Sequence, residues 1–365
     1  MIKQLIPVVI FFILFIFDSS FLNYKETGRT PDELKDKPPF ADVSSHWVDS
    51  VFNSLSPDER IAQLFMIQAY SNRSAEHVAE VTETIKKYNV GGVILFHGGP
   101  GRQVHLVNHL QKTAKTPLLM AMDAEWGLSM RLDSTMRFPR QLKLGSIENN
   151  QLIYEMGAEI GRQLRRVGIH VNFAPVIDVN SNPNNPVIGS RSFGEDPRNV
   201  AKKGFAYTKG MQDHKVIAVG KHFPGHGDTD SDSHHTLPVI DHERAHLDSF
   251  ELYPFKQLID GGIGGIMIAH LNVPALDSTH NLPSSLSKNI VTGVLKEEMG
   301  FKGLVFTDAL GMKAVRNFFE PGVADMKALL AGNDVLLMSK DIPRAIDEIK
   351  KAIEQGQISR DEINR

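Results

Sequence analysis

From Trp47 onward, short apolar segments alternate with segments in which apolar residues recur at the spacing of a helix. The apolar segments are too short for helices and therefore predict buried strands. They span residues 64–68, 92–96, 117–122, 171–177, 216–219, 265–269, 304–306 and 335–338. The helical segments, which Gly or Asn often ends, span residues 77–87, 103–115, 151–167, 197–212, 246–259, 288–298, 323–330 and 343–354.

Eight such repeats over about 300 residues predict an α/β protein with a (β/α)8 TIM barrel. The competing arrangement is a doubly wound open sheet, whose first strand is commonly followed by Gly-x-Gly-x-x-Gly. The nearest glycine-rich turn, residues 97–101, lacks that spacing. The pattern therefore favours a barrel, with residues 46–365 as a single catalytic domain. The last residues, 361–365, have the composition of a helix start, so the C-terminal helix is expected to be truncated.

The N-terminus carries a second kind of hydrophobic pattern. Lys3 precedes an apolar run over residues 5–17, which Asp18 ends. This run is shorter than the ~20 residues of a membrane span, and its length is typical of the apolar part of a signal peptide. Residues 1–22 are therefore predicted to be a signal peptide, with an uncleaved membrane anchor as the alternative, and residues 23–45 a linker. We expect export to the periplasm or the outside of the cell.

Composition narrows the range of functions. The net charge is −3 and no cluster of Lys and Arg occurs, which argues against nucleic acid as a partner. The chain has no cysteine, which excludes disulfides, thiolate metal sites and a cysteine nucleophile. The hydrophobic fraction of 41% and charged fraction of 23% are typical of globular proteins. We expect a monomer.

The most polar segment follows directly on the predicted strand at 216–219. Residues 221–238 contain four histidines, three aspartates and one lysine, and no apolar run. Such a segment cannot be part of the core. In α/β proteins the loops at the C-terminal ends of buried strands carry the chemistry, so an active-site loop is predicted.

Five successive predicted strands end in a titratable residue. These strand ends hold Asp123, Asp178, Lys221 with His222, His270, and Asp308. In a barrel all of these ends meet at one face. A single aspartate in this position could simply cap the next helix, but titratable residues at five successive strand ends predict an active site.

Three functions could use these residues. Metal-assisted hydrolysis would use N and O ligands from the loop, namely His222, His226, Asp228, His234 and His235. The loop argues against this, because its proline and glycines bend the chain between the histidines, which form no His-x-x-x-His pair on a helix. We therefore expect no metal and no cofactor. A non-catalytic carbohydrate-binding barrel is a further alternative.

Glycoside hydrolysis needs an acid/base group and a carboxylate nucleophile. Asp308, at a strand end, suits the nucleophile. His234 suits the acid/base, because an unshifted imidazole pKa of about 6.5 favours proton transfer near neutrality. Asp232, two residues away, could orient the imidazole and stabilise its charged form.

Several motifs together resemble the bacterial β-N-acetylglucosaminidases of glycoside hydrolase family 3. The motifs are Lys-His-Phe-Pro-Gly-His-Gly-Asp-Thr at 221–229, Asp-Ser-His at 232–234, Asp-Val-Asn-Ser-Asn-Pro at 178–183, Arg-Ser-Phe-Gly-Glu-Asp-Pro at 191–197 and Asp-Ala-Leu-Gly-Met at 308–312. The resemblance covers most of residues 46–355. It implies a retaining mechanism without metal, in which Asp308 is the nucleophile and His234, paired with Asp232, is the acid/base. It also implies sugar contacts by Asp123, Arg191, Lys221 and His222.

The Asp-Ser-His motif favours an N-acetylglucosaminide over a glucoside, because relatives that act on glucose-type sugars commonly take their acid from a glutamate on a second domain. Ala124 and Trp126 depart from the commoner Asp-Gln-Glu-Gly-Gly after the third strand. The expected function is an exo-β-N-acetylglucosaminidase acting on peptidoglycan fragments or chitin oligosaccharides. Three other functions stay open, namely a family 3 β-glucosidase, a phosphorylase that uses phosphate instead of water, and a cell-wall-binding module. A mechanism in which the substrate acetamido oxygen attacks also stays open.

Overall fold

The structure is a computed structural model that describes residues 37–40, 45–233 and 236–364. Eight parallel strands form its centre. They are β1 Phe65–Ala69, β2 Gly92–Leu95, β3 Leu119–Met122, β4 Val171–Asn172, β5 Ile217–Phe223, β6 Gly265–Ile268, β7 Leu304–Thr307 and β8 Leu336–Leu337. Each predicted apolar segment contributes one of these strands.

The strands close into a barrel. The sheet order is β7-β6-β5-β4-β3-β2-β1-β8, with every pair parallel. A parallel bridge joins Phe306 to Val335, and the Thr307 amide donates to the Val335 carbonyl at 3.0 Å. These contacts connect β7 to β8. The predicted (β/α)8 barrel is confirmed.

Helices surround the barrel. They are α1 His46–Ser54, α2 Pro57–Ala62, α3 Ala75–Tyr88, α4 Pro100–Thr113, α5 Gln141–Gly145, α6 Asn150–Arg166, α7 Pro197–Asp213, α8 Arg244–Ser249, α9 Leu252–Asp260, α10 Lys313–Arg316, α11 Val323–Ala331, α12 Ile342–Glu354 and α13 Arg360–Asn364. The segment Asn289–Glu298 forms a π-helix between β6 and β7. The helix predicted over 246–259 is divided into α8 and α9, which meet at Phe250 and Glu251.

The barrel interior is a separate apolar cluster. Its buried members are Met66, Ile94, Ala121, Val171, Phe173, Val219, Met267, Phe306 and Leu337. The rings of Phe173 and Phe306 pack edge to face, with centroids 5.3 Å apart. A second, larger cluster fills the space between the strands and the helices. The interior is therefore a solid support for whatever lies at the C-terminal ends of the strands.

Two strands differ from their predicted bounds. The apolar segment 171–177 forms regular pairs only over β4, and Val176 makes an isolated bridge with Lys221. Pro175 has no N–H to donate, which limits regular pairing there. In contrast, β5 extends to Phe223, so Lys221 and His222 belong to a strand and not to the loop. Their backbone is thereby fixed.

Several predictions concern residues outside this description. The proposed signal peptide, residues 1–22, lies outside the described residues, as does most of the predicted linker, residues 23–45. Among the described residues no helix is long and apolar enough to cross a membrane. At the other end, the predicted helix start corresponds to α13.

Candidate active site

A cavity of about 310 Å³ opens at the C-terminal ends of the barrel strands. Its floor is the top of the barrel core, formed by Ile94, Phe173, Met267 and Leu337. Its walls carry the charged and titratable side chains of Asp123, Glu125, Arg131, Arg191, Lys221, His222, His226, Asp308 and Lys340. An apolar floor with polar walls is typical of a small-ligand site.

One wall is a network of buried ion pairs. Lys221 Nζ lies 2.8 Å from Asp123 Oδ1 and 2.9 Å from Glu125 Oε1. Arg191 binds the Glu125 carboxylate with both Nε and Nη2, at 3.0 and 2.7 Å. Arg131 Nη2 donates to Asp123 Oδ2 at 2.6 Å. The two carboxylates and three cations hold one another in fixed positions beside the cavity.

These carboxylates are ionised. Burial opposes the charged form of Asp123, but Lys221 and Arg131 outweigh it and lower the pKa of Asp123 to about 2. Burial likewise opposes ionisation of Glu125, and the charges of Arg191 and Lys221 bring its pKa far below the usual range. The wall therefore presents fixed charges and donors to a ligand near neutral pH.

His222 is held by Asp178, which lies behind it. The Asp178 carboxylate is 2.7 Å from His222 Nδ1 and also accepts hydrogen bonds from the amides of His222 and His226, at 3.1 and 2.8 Å. Because a carboxylate accepts, Nδ1 carries the proton and Nε2 is directed toward Arg191, 3.3 Å away. Burial alone would raise the pKa of Asp178. His222 and His226 outweigh burial, so the pKa of Asp178 is lowered and the carboxylate stays charged.

Asp308 directly follows β7. Its Oδ1 accepts a hydrogen bond from the Ala309 amide at 2.7 Å, and its own amide donates to the Ile268 carbonyl at 2.8 Å. Burial would raise the pKa of Asp308, but the nearby imidazoles of His270 and His222 lower it. His270 is itself fixed, with Nδ1 2.7 Å from Ser285 Oγ. Asp308 is thus an ionised carboxylate on a rigid strand end.

His226 belongs to the cavity wall, although the resemblance assigned it no role. Its Nδ1 lies 2.7 Å from Thr229 Oγ1 and its Nε2 lies 3.1 Å from Ser233 Oγ. Burial lowers the pKa of His226 to about 4, so the ring is neutral near pH 7. This ring fixes the first half of the 221–238 loop.

Several of the site residues have partners that the sequence did not indicate. His222 and His226 have both ring nitrogens next to other groups, and Asp228 pairs with His242 instead, at 2.6 Å. The other two histidines of the suggested metal site, His234 and His235, lie outside the described residues. Arg191 binds Glu125, which lies 66 positions away in the chain.

The structure brings Asp123, Arg191, Lys221, His222 and Asp308 to one cavity. The predicted acid/base, His234, lies outside the described residues, as does His235. Asp232 is described and is half-buried, and its carbonyl accepts from the Thr236 amide at 3.0 Å. The catalytic roles of all these residues stay predictions.

Sequence reasoning missed Glu125 and Arg131 as wall residues. Glu125 stands two positions after Asp123 at the end of the same strand, and this position could have indicated a site residue. Arg131 follows an irregular turn and offered no comparable signal.

The comparisons with known proteins agree with this geometry. The family model for the glycosyl hydrolase family 3 N terminal domain matches residues 56–365. The chain belongs to glycosyl hydrolase family 3. It is 36% identical over 317 residues to "Beta-hexosaminidase A" of Pseudoalteromonas piscicida, covering 78% of this chain and 53% of that protein. It is 33% identical to "Beta-hexosaminidase LpqI" of Mycobacterium tuberculosis, covering 85% of this chain and 81% of that protein.

Solved structures give the same assignment. A glycoside hydrolase family 3 β-N-acetylglucosaminidase from Paenibacillus sp. is 38% identical with a TM-score of 0.78, covering 85% of this chain and 60% of that one. The β-glucoside phosphorylase BglX superposes with a TM-score of 0.81 at 23% identity, which shows the shared fold alone. The chain thus spans little more than half of the first of these curated relatives.

Proposed function

We propose that this chain is a retaining exo-β-N-acetylglucosaminidase that removes terminal β-linked N-acetylglucosamine from peptidoglycan fragments or chitin oligosaccharides. The observation that carries the proposal is the ionised Asp308 at a rigid strand end, inside a cavity whose wall is a fixed set of charged hydrogen-bonding groups. The similarity to proteins named β-hexosaminidase and β-N-acetylglucosaminidase, at 33–38% identity, supports the sugar type.

The proposed reaction has two steps. In the first, Asp308 attacks the anomeric carbon while His234 donates a proton to the leaving oxygen, and the glycosidic bond breaks. In the second, His234 takes a proton from water, which attacks the anomeric carbon and releases Asp308. Asp232 positions His234 and stabilises its charged form. The overall configuration at the anomeric carbon is retained.

The wall network would bind the sugar. Asp123, Lys221, Arg191 and His222 border the cavity, and each is fixed by a buried partner. Groups that are already ordered lose little entropy when they bind, and charge-assisted hydrogen bonds to sugar hydroxyls are strong. The fixed geometry therefore favours one sugar residue in one orientation.

Turnover of 4-nitrophenyl β-N-acetylglucosaminide tests the proposal. Asp308→Asn should lose nearly all activity, because an amide is a poor nucleophile. His234→Ala should lose about 10²–10⁴-fold on this substrate. It should lose much less on a dinitrophenyl glycoside, whose leaving group needs no acid. The adjacent His235→Ala is the matched control and should keep the wild-type ratio between the two substrates.

Three results would redirect the proposal. Retained activity in Asp308→Asn would favour attack by the acetamido oxygen. Formation of the sugar 1-phosphate in phosphate buffer would indicate phosphorolysis. Binding of chitobiose without turnover by the wild type would indicate a binding module. NMR detection of the first-formed anomer decides between retention and inversion.

We also propose that the chain is exported, which rests on the apolar run at residues 5–17. Fractionation of cells and N-terminal sequencing of the protein test this. An intact N-terminus on protein from the cytosolic fraction would contradict it.

A further inference from the structure

A second cluster of ionisable side chains lies against the 221–238 loop. His242 precedes α8, His246 lies on α8, and Glu251 lies between α8 and α9. Their nitrogen and oxygen atoms all lie within 4.8 Å of one another. None of the three lines the active-site cavity. Asp228, in the loop, adds a carboxylate, with Oδ2 2.6 Å from His242 Nε2.

Glu251 is the unusual member of this cluster. It is only 2% exposed, yet neither of its carboxylate oxygens accepts a hydrogen bond from the described residues. His246 Nε2 lies 3.3 Å from Oε1, as an ion-pair contact. Burying a carboxylate without hydrogen bonds is costly, and a bound cation is one of the few ways to offset that cost.

We propose that His242, His246 and Glu251 bind one Zn²⁺ ion, with water as the fourth ligand. Two neutral imidazoles and one carboxylate form a common zinc ligand set. His242 lies just before α8 and His246 lies on its first turn, and the centroids of their rings are 4.3 Å apart. Their side chains are 31% and 45% exposed, so an ion can enter from solvent.

The distances are close to those of a zinc site. Tetrahedral zinc with bonds of 2.0–2.1 Å places neighbouring ligand atoms about 3.3 Å apart. The Glu251 Oε1 atom lies 3.3 Å from His246 Nε2 and 4.0 Å from His242 Nε2.

The ion would fix the loop from the side opposite the substrate. Gly225 packs directly on Glu251, since a Cβ at Gly225 would come within 2.8 Å of the Glu251 Cβ. Asp228 contacts His242, whereas His226, between these two positions, lines the cavity. The zinc would therefore position the loop and take no part in bond breaking. This proposal departs from the expectation that the protein holds no metal, and it does not rest on the proposed reaction.

Zinc titration of the chelator-treated, full-length chain tests the proposal by calorimetry. We expect one equivalent of Zn²⁺ to bind. His246→Gln and Glu251→Gln should each weaken binding by more than the roughly 10–100-fold typical of losing a group outside the ligand shell. His105→Gln, at an exposed histidine of α4, is the matched control and should bind as the wild type does.

Two further readouts locate the ion. Co²⁺ in place of zinc should give the intense visible absorption of a tetrahedral site, and His246→Gln should abolish it. Hydrogen exchange at the amides of residues 225–229 should slow when zinc is added. The half-exposed His246 can be replaced without disturbing the core, so this variant remains informative if Glu251→Gln fails to fold. Absence of stoichiometric binding, or unchanged binding in His246→Gln, would overturn the proposal and leave an imidazolium–carboxylate cluster.

Discussion

Glu125 offers a direct test of the buried ion-pair network. Its side chain is inaccessible to solvent and binds Arg191 through two hydrogen bonds and Lys221 through one ion pair. Glu125→Gln preserves the shape of the side chain and removes one negative charge. Arg191 then stays buried without its carboxylate partner. The variant therefore isolates the charge balance of the site wall from its packing.

The expected cost is large. Breaking a buried ion pair by neutralising one partner destabilises a protein by about 3–5 kcal/mol. In a domain of this size 1 kcal/mol changes Tm by roughly 2–4 °C, so the variant should melt at least about 6 °C below the wild type. Glu83→Gln is the matched control, because Glu83 pairs with Lys86 at 3.1 Å but is 72% exposed. It should stay within about 2 °C of the wild type.

Thermal melts followed by circular dichroism at pH 7 supply the measurement, and their pH dependence supplies a second check. The folded-state pKa of Glu125 is lowered from 4.5, so its stabilisation is present above about pH 4.5 and is lost as the pH falls. The difference in Tm should therefore be constant from pH 5 to 8 and shrink towards pH 3. A Tm for Glu125→Gln equal to that of the wild type at pH 7 would refute the reasoning, because the wall would then not depend on this charge.

Two other substitutions probe the loop. A Cβ at Gly227 would lie 1.7 Å from the Val179 carbonyl oxygen, so Gly227→Ala should displace the loop and reduce kcat at least tenfold in steady-state turnover. Gly101→Ala is the control, because a Cβ at Gly101 meets nothing within 4 Å, and it should leave kcat unchanged. Asp178→Asn should raise KM about tenfold or more, because His222 loses a charge-assisted hydrogen bond worth about 1.5–3 kcal/mol that fixes its orientation. An unchanged KM in that variant would show that His222 does not bind the substrate.

The barrel was predictable because every strand is buried on both faces. A strand such as β2, with all four residues buried, is a continuous apolar run, and eight such runs between helices allow few other folds. The bounds of β5 were not predictable. Lys221 and His222 are polar, so the sequence indicates a loop, yet both are buried in the strand because carboxylates from distant segments pair with them.

In the candidate site, too, the sequence predicted which residues come together but not which of them form pairs. Strand ends converge in any barrel, so the meeting of Asp123, Lys221 and Asp308 followed from the fold. The partner of Arg191 did not follow, because 66 positions in the chain separate it from Glu125. Pair choices inside a buried network depend on geometry of a few tenths of an ångström, which apolar patterning does not encode.

Different groups hold the proposed nucleophile and the start of the 221–238 loop. Asp308 is held by the amide of Ala309 at the end of β7, whereas Asp178 fixes the start of the 221–238 loop through the amides of His222 and His226. The Asp178 carboxylate thus fixes both the wall residue His222 and the direction in which the loop leaves the strand. Substitution of Asp178 should therefore affect substrate binding and acid catalysis together. Substitution within the outer His242–Glu251 cluster should affect the loop alone. Comparing KM and kcat between Asp178→Asn and His246→Gln distinguishes these two routes of control.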